Sequence, residues 1–208
     1  MTGDMTDVIT DLDALDRLYG PVDPRSIVKV TDHIHPVYRP WIEASPFAVL
    51  STVGPEGVDA SPRGDGPGFV TVADIHTLLL PDRRGNNRVD TLHNIVRDPR
   101  VALLLLVPGL GETLRVNGTA AVSIAPDLLA RFAVDGKAPR SVLVVTVAEV
   151  YFQCSRAVVR ADLWNSAHHV PRGTLPTAGR MLAELSAQRH GGDDYDQALP
   201  ERVKATLY

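Results

Sequence analysis

A strict two-residue alternation between Glu112 and Ile124 constrains the fold more than any other feature of the sequence. Apolar or small residues occupy every second position there, namely Leu114, Val116, Gly118, Ala120, Val122 and Ile124. Successive side chains of a β-strand point to opposite faces, so the pattern predicts one long strand with one face in the core. Arg115 and Asn117 fall on the other face, which is either an ordinary solvated sheet surface or a binding surface.

Shorter apolar segments bounded by glycine and proline predict further strands. They cover residues 47–53, 58–61, 69–72, 77–80, 101–107, 141–147 and 150–153. Helical spacing of apolar residues predicts helices over residues 11–19, 35–44, 126–132, 155–163 and 174–188, and one more that starts after Asn87 and ends before Pro99. The tail from Asp193 onward is polar. Because strands predominate and no clear crossover series of strand, helix and strand occurs, we expect a mainly β fold with added helices (α+β) and a barrel architecture.

The segment Thr77–Arg88 carries the densest group of functional side chains. An apolar strand leads into Pro81 and Asp82, and a helix follows the segment; between them the chain reads Arg83, Arg84, Gly85, Asn86, Asn87 and Arg88. Asn87 is the predicted N-cap of that helix, with Asp90 reaching back toward the cap. A helix N-terminus and arginine side chains both favour a phosphate group, so the junction predicts a site for a phosphorylated ligand. A solvated basic turn is the alternative that these residues alone leave open.

The composition excludes several classes of protein. A length of 208 residues suits one domain, and 21 Lys and Arg against 25 Asp and Glu disfavour a general nucleic-acid binder. The lone Cys154 permits no intrachain disulfide and favours a cytoplasmic protein; we expect it to be a buried structural thiol. The N-terminal residues lack the apolar segment of a signal peptide, and the longest apolar run, Val101–Val107, is too short to cross a bilayer. No acidic or cysteine pattern completes a metal site around the histidine pairs His33/His35 and His168/His169, so we expect no metal.

Five segments in order along the chain resemble the pyridoxamine 5′-phosphate oxidase-like family, and more narrowly a bacterial branch of it. They are Ser61–Asp65, Leu80–Arg88, Asp98–Val101, Glu112–Gly118 and Cys154–Trp164. The resemblance covers residues 34–208 and implies a split β-barrel that binds FMN. It also implies a homodimer with two equivalent flavins in clefts between the subunits.

The resemblance assigns roles to individual residues. The expected cofactor-binding residues are Ser61, Arg63 and Asp65 along the flavin, Pro81, Asp82 and Arg83 at the ring edge or ribityl chain, Asn86, Asn87 and Arg88 at the phosphate, and Arg115 and Asn117 from the long strand of the same or the partner subunit. Arg156 and Trp164 would border the substrate side. No residue is singled out as a catalytic acid or base. The Arg-x-Val-Leu-Leu-Lys strand and the C-terminal Arg-Leu-x-Pro segment of the vitamin B6 oxidases are missing, which argues against pyridoxamine phosphate as the substrate.

The resemblance therefore implies an FMN-dependent oxidoreductase that passes electrons from a reduced nicotinamide through the flavin to a small organic acceptor or oxygen. Two alternatives stay open: a non-catalytic flavin- or heme-binding protein for storage, sensing or scavenging, and a deazaflavin-dependent reductase. We expect a small-molecule substrate and neither a nucleic-acid nor a membrane partner. We also expect three parts of one domain: residues 1–33 as a helix and linker packing on the barrel, residues 34–165 as the FMN-binding barrel, and residues 166–208 as a helical extension.

Overall fold

A computed structural model describes residues 8–208, so the expectation for the N-terminal residues 1–7 lies outside the described part. The described chain contains one seven-stranded sheet. Its strands are β1 (Phe47–Gly54), β2 (Gly57–Gly64), β3 (Thr71–Asp74), β4 (Thr77–Pro81), β5 (Arg100–Leu106), β6 (Thr113–Ser123) and β7 (Val142–Gln153). They lie in the order β2-β1-β5-β6-β7-β4-β3, and every neighbouring pair is antiparallel. The fold is a split-barrel-like α+β fold, as predicted.

Short helices connect and flank the strands. They are α1 (Leu12–Tyr19), α2 (Pro24–Val28), α3 (Arg39–Ala44), α4 (Asp90–Arg97), α5 (Pro126–Arg131), α6 (Arg156–Ala161), α7 (Ala178–Leu185) and α8 (Asp193–Ala205), with a single 3₁₀ turn at Ser166–His168. Among residues 8–208, no helix combines the length and the apolar character that crossing a membrane requires. The leucines of α1 are exposed to solvent, so the packing of the N-terminal segment on the barrel stays a prediction.

The long strand β6 follows the predicted alternation. Leu114, Val116 and Ala120 are buried in the main core, together with Leu103 and Leu105 of the neighbouring β5. The strand predicted in two pieces, 141–147 and 150–153, is the single strand β7. Its pairing with β6 shifts between Asn117 and Gly118, because Ala148 is an extra residue on the β7 side. This bulge interrupts the two-residue period, which explains why the sequence pattern predicts two strands.

Two helices differ from the prediction at their first turns. Helix α3 begins at Arg39 instead of 35, with Pro40 in its first turn, where the missing N–H of proline costs nothing. Helix α7 begins at Ala178 instead of 174, since Pro176 disfavours a helical residue before it and Thr177 caps the helix through the Arg180 amide. Helix α8 was not predicted: Asp196 attaches it to α7 by accepting hydrogen bonds from the Gly179 amide (2.8 Å) and from Thr177.

Strand β4 positions the functional segment. Its residues Leu78 and Leu80 are buried in the main core, while Leu79 on the other face packs with Phe132 and Val142 in a smaller core under α5. With both faces covered, β4 has almost no freedom to move. Pro81 ends it, and the Asp82 amide donates to the Ser141 carbonyl oxygen at 2.9 Å. The loop that follows therefore starts from a rigid base.

Candidate functional site

A cleft of about 790 Å³ lies where β2, the loop after β4 and the loop before β7 meet. This volume falls in the range that small-molecule sites occupy in proteins. The cleft brings together seven of the predicted site residues: Ser61, Arg63, Asp82, Arg83, Asn86, Asn87 and Arg88. Lys137, Arg140, Ser141 and Tyr208 also line it and were not predicted. Lys137 and Arg140 form a second basic pair next to a strand, a signal of the same kind as the arginine segment.

Positive charge dominates the cleft walls. Six cationic side chains line it, those of Arg63, Arg83, Arg84, Arg88, Lys137 and Arg140, against the carboxylate side chains of Asp59, Asp82 and Asp90. Arg83 is paired with Asp65 at 2.7 Å, and Arg88 is paired with Asp90. The other four cations form no ion pair with any residue in 8–208. A ligand that carries negative charge would balance them.

The predicted capping box at the start of α4 is wrong. Asn87 has a left-handed backbone (φ +60°), and its Oδ1 accepts a hydrogen bond from Arg140 Nη1 at 2.8 Å instead of capping the helix. Val89 is the N-cap residue, without a side-chain cap, and Asp90 pairs with Arg88 rather than reaching back. The hydrogen bond between Arg140 and Asn87 joins the two basic loops of the cleft. Because Arg140 is 53 residues away along the chain, no local pattern could reveal it.

Asp65 and Arg83 form a largely buried pair behind the cleft wall. Asp65 Oδ2 accepts from Arg83 Nε, while its Oδ1 accepts from the Tyr208 hydroxyl at 2.6 Å. Burial alone would raise the pKa of Asp65, but the hydrogen bonds from Tyr208, the Gly66 amide and Arg83 outweigh it and hold that pKa below its usual range. Asp65 therefore stays ionised and holds Arg83 in place.

Asp82 differs from Asp65 in its surroundings. Burial raises the pKa of Asp82, although the nearby Arg63 and Arg140 guanidinium groups oppose this shift. Among the described residues, two buried side-chain atoms lack a hydrogen-bond partner, Arg63 Nε and Ser141 Oγ, and both belong to residues that line the cleft. Buried polar atoms are nearly always paired in native proteins. The polar groups present thus fit a ligand with several hydrogen-bonding atoms.

The remaining predicted residues do not line the cleft of their own chain. Pro81 is buried in β4. Arg115 Nη1 lies 3.1 Å from the Tyr151 hydroxyl, and Asn117 Nδ2 donates to Glu149 Oε2 at 3.0 Å, so both contact β7. Their role at a cofactor stays a prediction.

The residues predicted on the substrate side lie near the end of β7, also outside the cleft. Arg156 is the first residue of α6, and Trp164 Nε1 donates to the Leu110 carbonyl oxygen at 2.7 Å. The nearby Cys154 is exposed, which corrects the expectation of a buried thiol. Within residues 8–208, no three His, Cys, Asp or Glu side chains are grouped so that they could hold a metal ion.

Solved structures resemble the chain over part of its length. HupZ of Group A Streptococcus is 16% identical, and the match covers 59% of this chain and 95% of HupZ with a TM-score of 0.48. General stress protein 26 of Bacillus anthracis is 18% identical over 54% of this chain and 88% of its own, with a TM-score of 0.42. An F420 reductase is 19% identical over 56% of this chain and 95% of its own, with a TM-score of 0.40.

No curated protein matches the sequence significantly. The family model described as pyridoxamine 5′-phosphate oxidase matches residues 34–154, which is more than half of the chain. This interval contains the whole sheet, the arginine segment and both basic loops of the cleft. The chain therefore belongs to the pyridoxamine 5′-phosphate oxidase family.

Proposed function

We propose that the protein binds FMN in the cleft and acts as an oxidoreductase that passes electrons from a reduced nicotinamide to a small organic acceptor or to oxygen. The observation that carries the proposal is the excess of cations in the cleft, next to the N-terminus of α4, in a chain that belongs to this family. The phosphate of FMN carries close to two negative charges, and arginine side chains bind such groups through charge-assisted hydrogen bonds.

The phosphate would lie among Asn86, Asn87 and Arg88, with Arg140 beside them. The pairing of Arg88 with Asp90 does not compete strongly, because both side chains are exposed and an exposed ion pair contributes little to stability. Arg88 can therefore exchange Asp90 for a phosphate at small cost. The partial positive charge at the N-terminus of α4 adds to the attraction.

The rest of the cofactor would lie along Ser61, Arg63, Asp82 and Arg83, with Asp65 holding Arg83 from behind and the buried Pro81 fixing the start of the loop. When bound, FMN supplies the electron-transfer chemistry, and the protein supplies position and electrostatics. Arg63 and Arg140 place positive charge in this part of the cleft. Asp82, whose pKa is raised, can hold a proton on its carboxyl group at a higher pH than an exposed aspartate can. Ser141 Oγ offers a buried hydroxyl for a further hydrogen bond.

The proposal extends to the assembly. Arg115 and Asn117 do not line the cleft of their own chain, so we assign them to the cofactor of the partner subunit in a homodimer with two interfacial sites. Arg156 and Trp164 would border the substrate side. Residues 34–165 would form the barrel, with 1–33 packed on it and 166–208 as its helical extension. A cytoplasmic location without nucleic-acid or membrane partners completes the proposal.

The alternatives differ in what the cleft would have to provide. A heme needs an axial ligand, and among the described residues that line the cleft there is no His, Cys or Met, which leaves Tyr208 alone. Heme is therefore disfavoured at this site. The four cleft cations that form no ion pair with a described residue also suit a deazaflavin cofactor with extra anionic groups, so a deazaflavin is included in the test.

Titration of the purified protein with FMN, deazaflavin and heme, followed by absorption spectra, tests the proposal. We expect saturable FMN binding, and we expect Arg88→Ala to weaken it roughly tenfold or more through loss of a charge-assisted hydrogen bond. The matched control is Arg97→Ala, which removes the same charge from the last turn of α4, outside the cleft.

Oxidation of reduced nicotinamide with a panel of acceptors then separates an enzyme from a binding protein. Turnover that depends on FMN supports the oxidoreductase. Tight FMN binding without turnover would favour the storage or sensing alternative, and equal FMN affinities of the wild type and Arg88→Ala would refute the phosphate assignment.

A further inference from the structure

The last residue of the sequence, Tyr208, lies in the wall of the cleft although it is far from every other cleft residue along the chain. Helix α8 brings it there. The helix is attached to α7 by the hydrogen bonds of Asp196, and the residues after Ala205 carry the chain from this helical pair to the cleft. The Tyr208 hydroxyl then donates to Asp65, 143 positions earlier in the sequence.

Tyr208 completes the hydrogen bonding of the Asp65 carboxylate. Asp65 Oδ1 accepts from the Tyr208 hydroxyl at 2.6 Å and from the Gly66 amide at 2.7 Å, and Oδ2 accepts from Arg83 Nε at 2.7 Å. The side chains of Asp65 and Arg83 are only 10% and 18% exposed, so water cannot easily replace a lost partner. Loss of the Tyr208 hydroxyl would therefore leave a buried carboxylate with one hydrogen bond fewer, which is costly.

Tyr208 also contacts Arg83 directly. The Arg83 guanidinium carbon lies 5.3 Å from the centroid of the Tyr208 ring, within the range of a cation–π contact. Arg83 Nη1 donates to the Phe132 carbonyl oxygen at 2.6 Å. With Nε and Nη1 engaged, Nη2 is the guanidinium nitrogen that makes no hydrogen bond to any described residue. The guanidinium is thus held from three sides, and one nitrogen remains for a ligand.

The protonation states favour this arrangement near neutral pH. The hydrogen bond to Asp65 raises the pKa of the Tyr208 phenol, and burial adds to the shift. The phenol therefore stays protonated and donates, while the Asp65 carboxylate stays ionised and accepts.

We propose that Tyr208 is a positioning residue of the cleft, which fixes the Arg83 guanidinium for the bound ligand by donating a hydrogen bond to Asp65 and by placing its ring in cation–π contact with Arg83. The proposal rests on the proposed function, since the ligand it refers to is FMN. It makes the C-terminal segment part of the binding site, although the family model ends at residue 154.

The first experiment needs no cofactor. Arg83 is modified with phenylglyoxal and quantified by peptide mass spectrometry, with the exposed Arg97 as the internal reference. Tyr208→Ala should raise the modification rate of Arg83 several-fold, and Tyr208→Phe, which removes the hydroxyl alone, should have a smaller effect. Tyr19→Phe is the control, because Tyr19 is 79% exposed on α1. An unchanged rate in folded Tyr208→Ala, with folding checked by circular dichroism, would overturn the proposal.

The second experiment measures FMN affinity. Tyr208→Phe should weaken it roughly fivefold, less than the loss of a direct charge-assisted hydrogen bond to the ligand, because Tyr208 acts through Arg83; Tyr19→Phe should leave it unchanged. In an Arg83→Lys background the Tyr208→Phe change should cost much less, because Tyr208 acts through Arg83. Equal costs in both backgrounds would contradict the positioning role. If the wild type binds no FMN, the proposed function fails, while the phenylglyoxal result still decides whether Tyr208 holds Arg83.

Discussion

At the scale of single residues, Val89 carries backbone strain at the edge of the cleft. It has φ +54° and ψ +17°, a left-handed conformation that is rare for a β-branched residue and costs about 1–2 kcal/mol. Glycine adopts this conformation without that cost. We therefore expect Val89→Gly to raise the free energy of unfolding by about 1 kcal/mol in urea titrations, even though it removes a side chain.

Val96→Gly is the matched control, since it makes the same change in the same helix. Val96 is 78% exposed and lies within α4, where glycine is less favourable than valine by a few tenths of a kcal/mol. The two variants should thus shift stability in opposite directions. Destabilisation by both would mean that the surrounding contacts relieve the strain at Val89.

At the scale of secondary-structure elements, Gly118 of β6 lies against the backbone of β7 with no room for a side chain. A Cβ atom at this position would lie 2.0 Å from the Thr146 carbonyl oxygen, and that oxygen belongs to the backbone of the paired strand. The strand cannot move away without losing sheet pairing, so Gly118→Ala should lower the free energy of unfolding by about 3 kcal/mol.

Gly66→Ala is the comparison for this change. A Cβ atom there would have no neighbour within 4 Å, so we expect a change within about 0.5 kcal/mol. Urea or thermal unfolding, followed by circular dichroism, measures the free energy of unfolding of both variants. A Gly118→Ala protein as stable as the Gly66→Ala protein would show that the β6–β7 bulge tolerates a side chain.

The elements that the sequence predicts well are those whose burial follows a simple period. Strand β6 has one buried face, so its alternation is visible in the sequence. Strand β7 was predicted in two pieces because the extra residue Ala148 breaks the period. Helix α8 contains Pro200, and proline is unfavourable inside a helix. The packing of α8 against α7 depends on the contact between Gly179 and Asp196. Tertiary contacts of this kind outweigh local preference.

The cleft, too, could be predicted only where its residues are close together in the sequence. The arginine segment could be predicted because its charges are adjacent in sequence and precede a helix. The contacts of Arg140 and Tyr208 could not, because their partners Asn87 and Asp65 are 53 and 143 residues away. The capping prediction failed because α4 begins at Asp90, two residues later than a cap at Asn87 requires.

At the scale of the whole molecule, the proposed homodimer makes cofactor binding depend on association. Arg115 contacts Tyr151 on its own chain and does not line the cleft there, so it would act only in the partner's site. Dilution below the dimer dissociation constant should therefore release FMN, in parallel with the monomer fraction measured by sedimentation velocity. A monomer that retains FMN with undiminished affinity would rule out the shared site.

Mixing of two variant chains also tests whether Arg115 acts in the cofactor site of the partner subunit. Arg88→Ala damages the cleft of its own chain, whereas Arg115→Ala should damage the cleft of the partner. In a heterodimer of the two, one cleft lacks both arginines, and the other has an intact Arg88 and an intact Arg115 from opposite chains. We expect one site of wild-type FMN affinity per heterodimer, although each homodimer binds weakly. If Arg115 instead serves the cleft of its own chain, each heterodimer cleft lacks one arginine, and mixing restores no tight site.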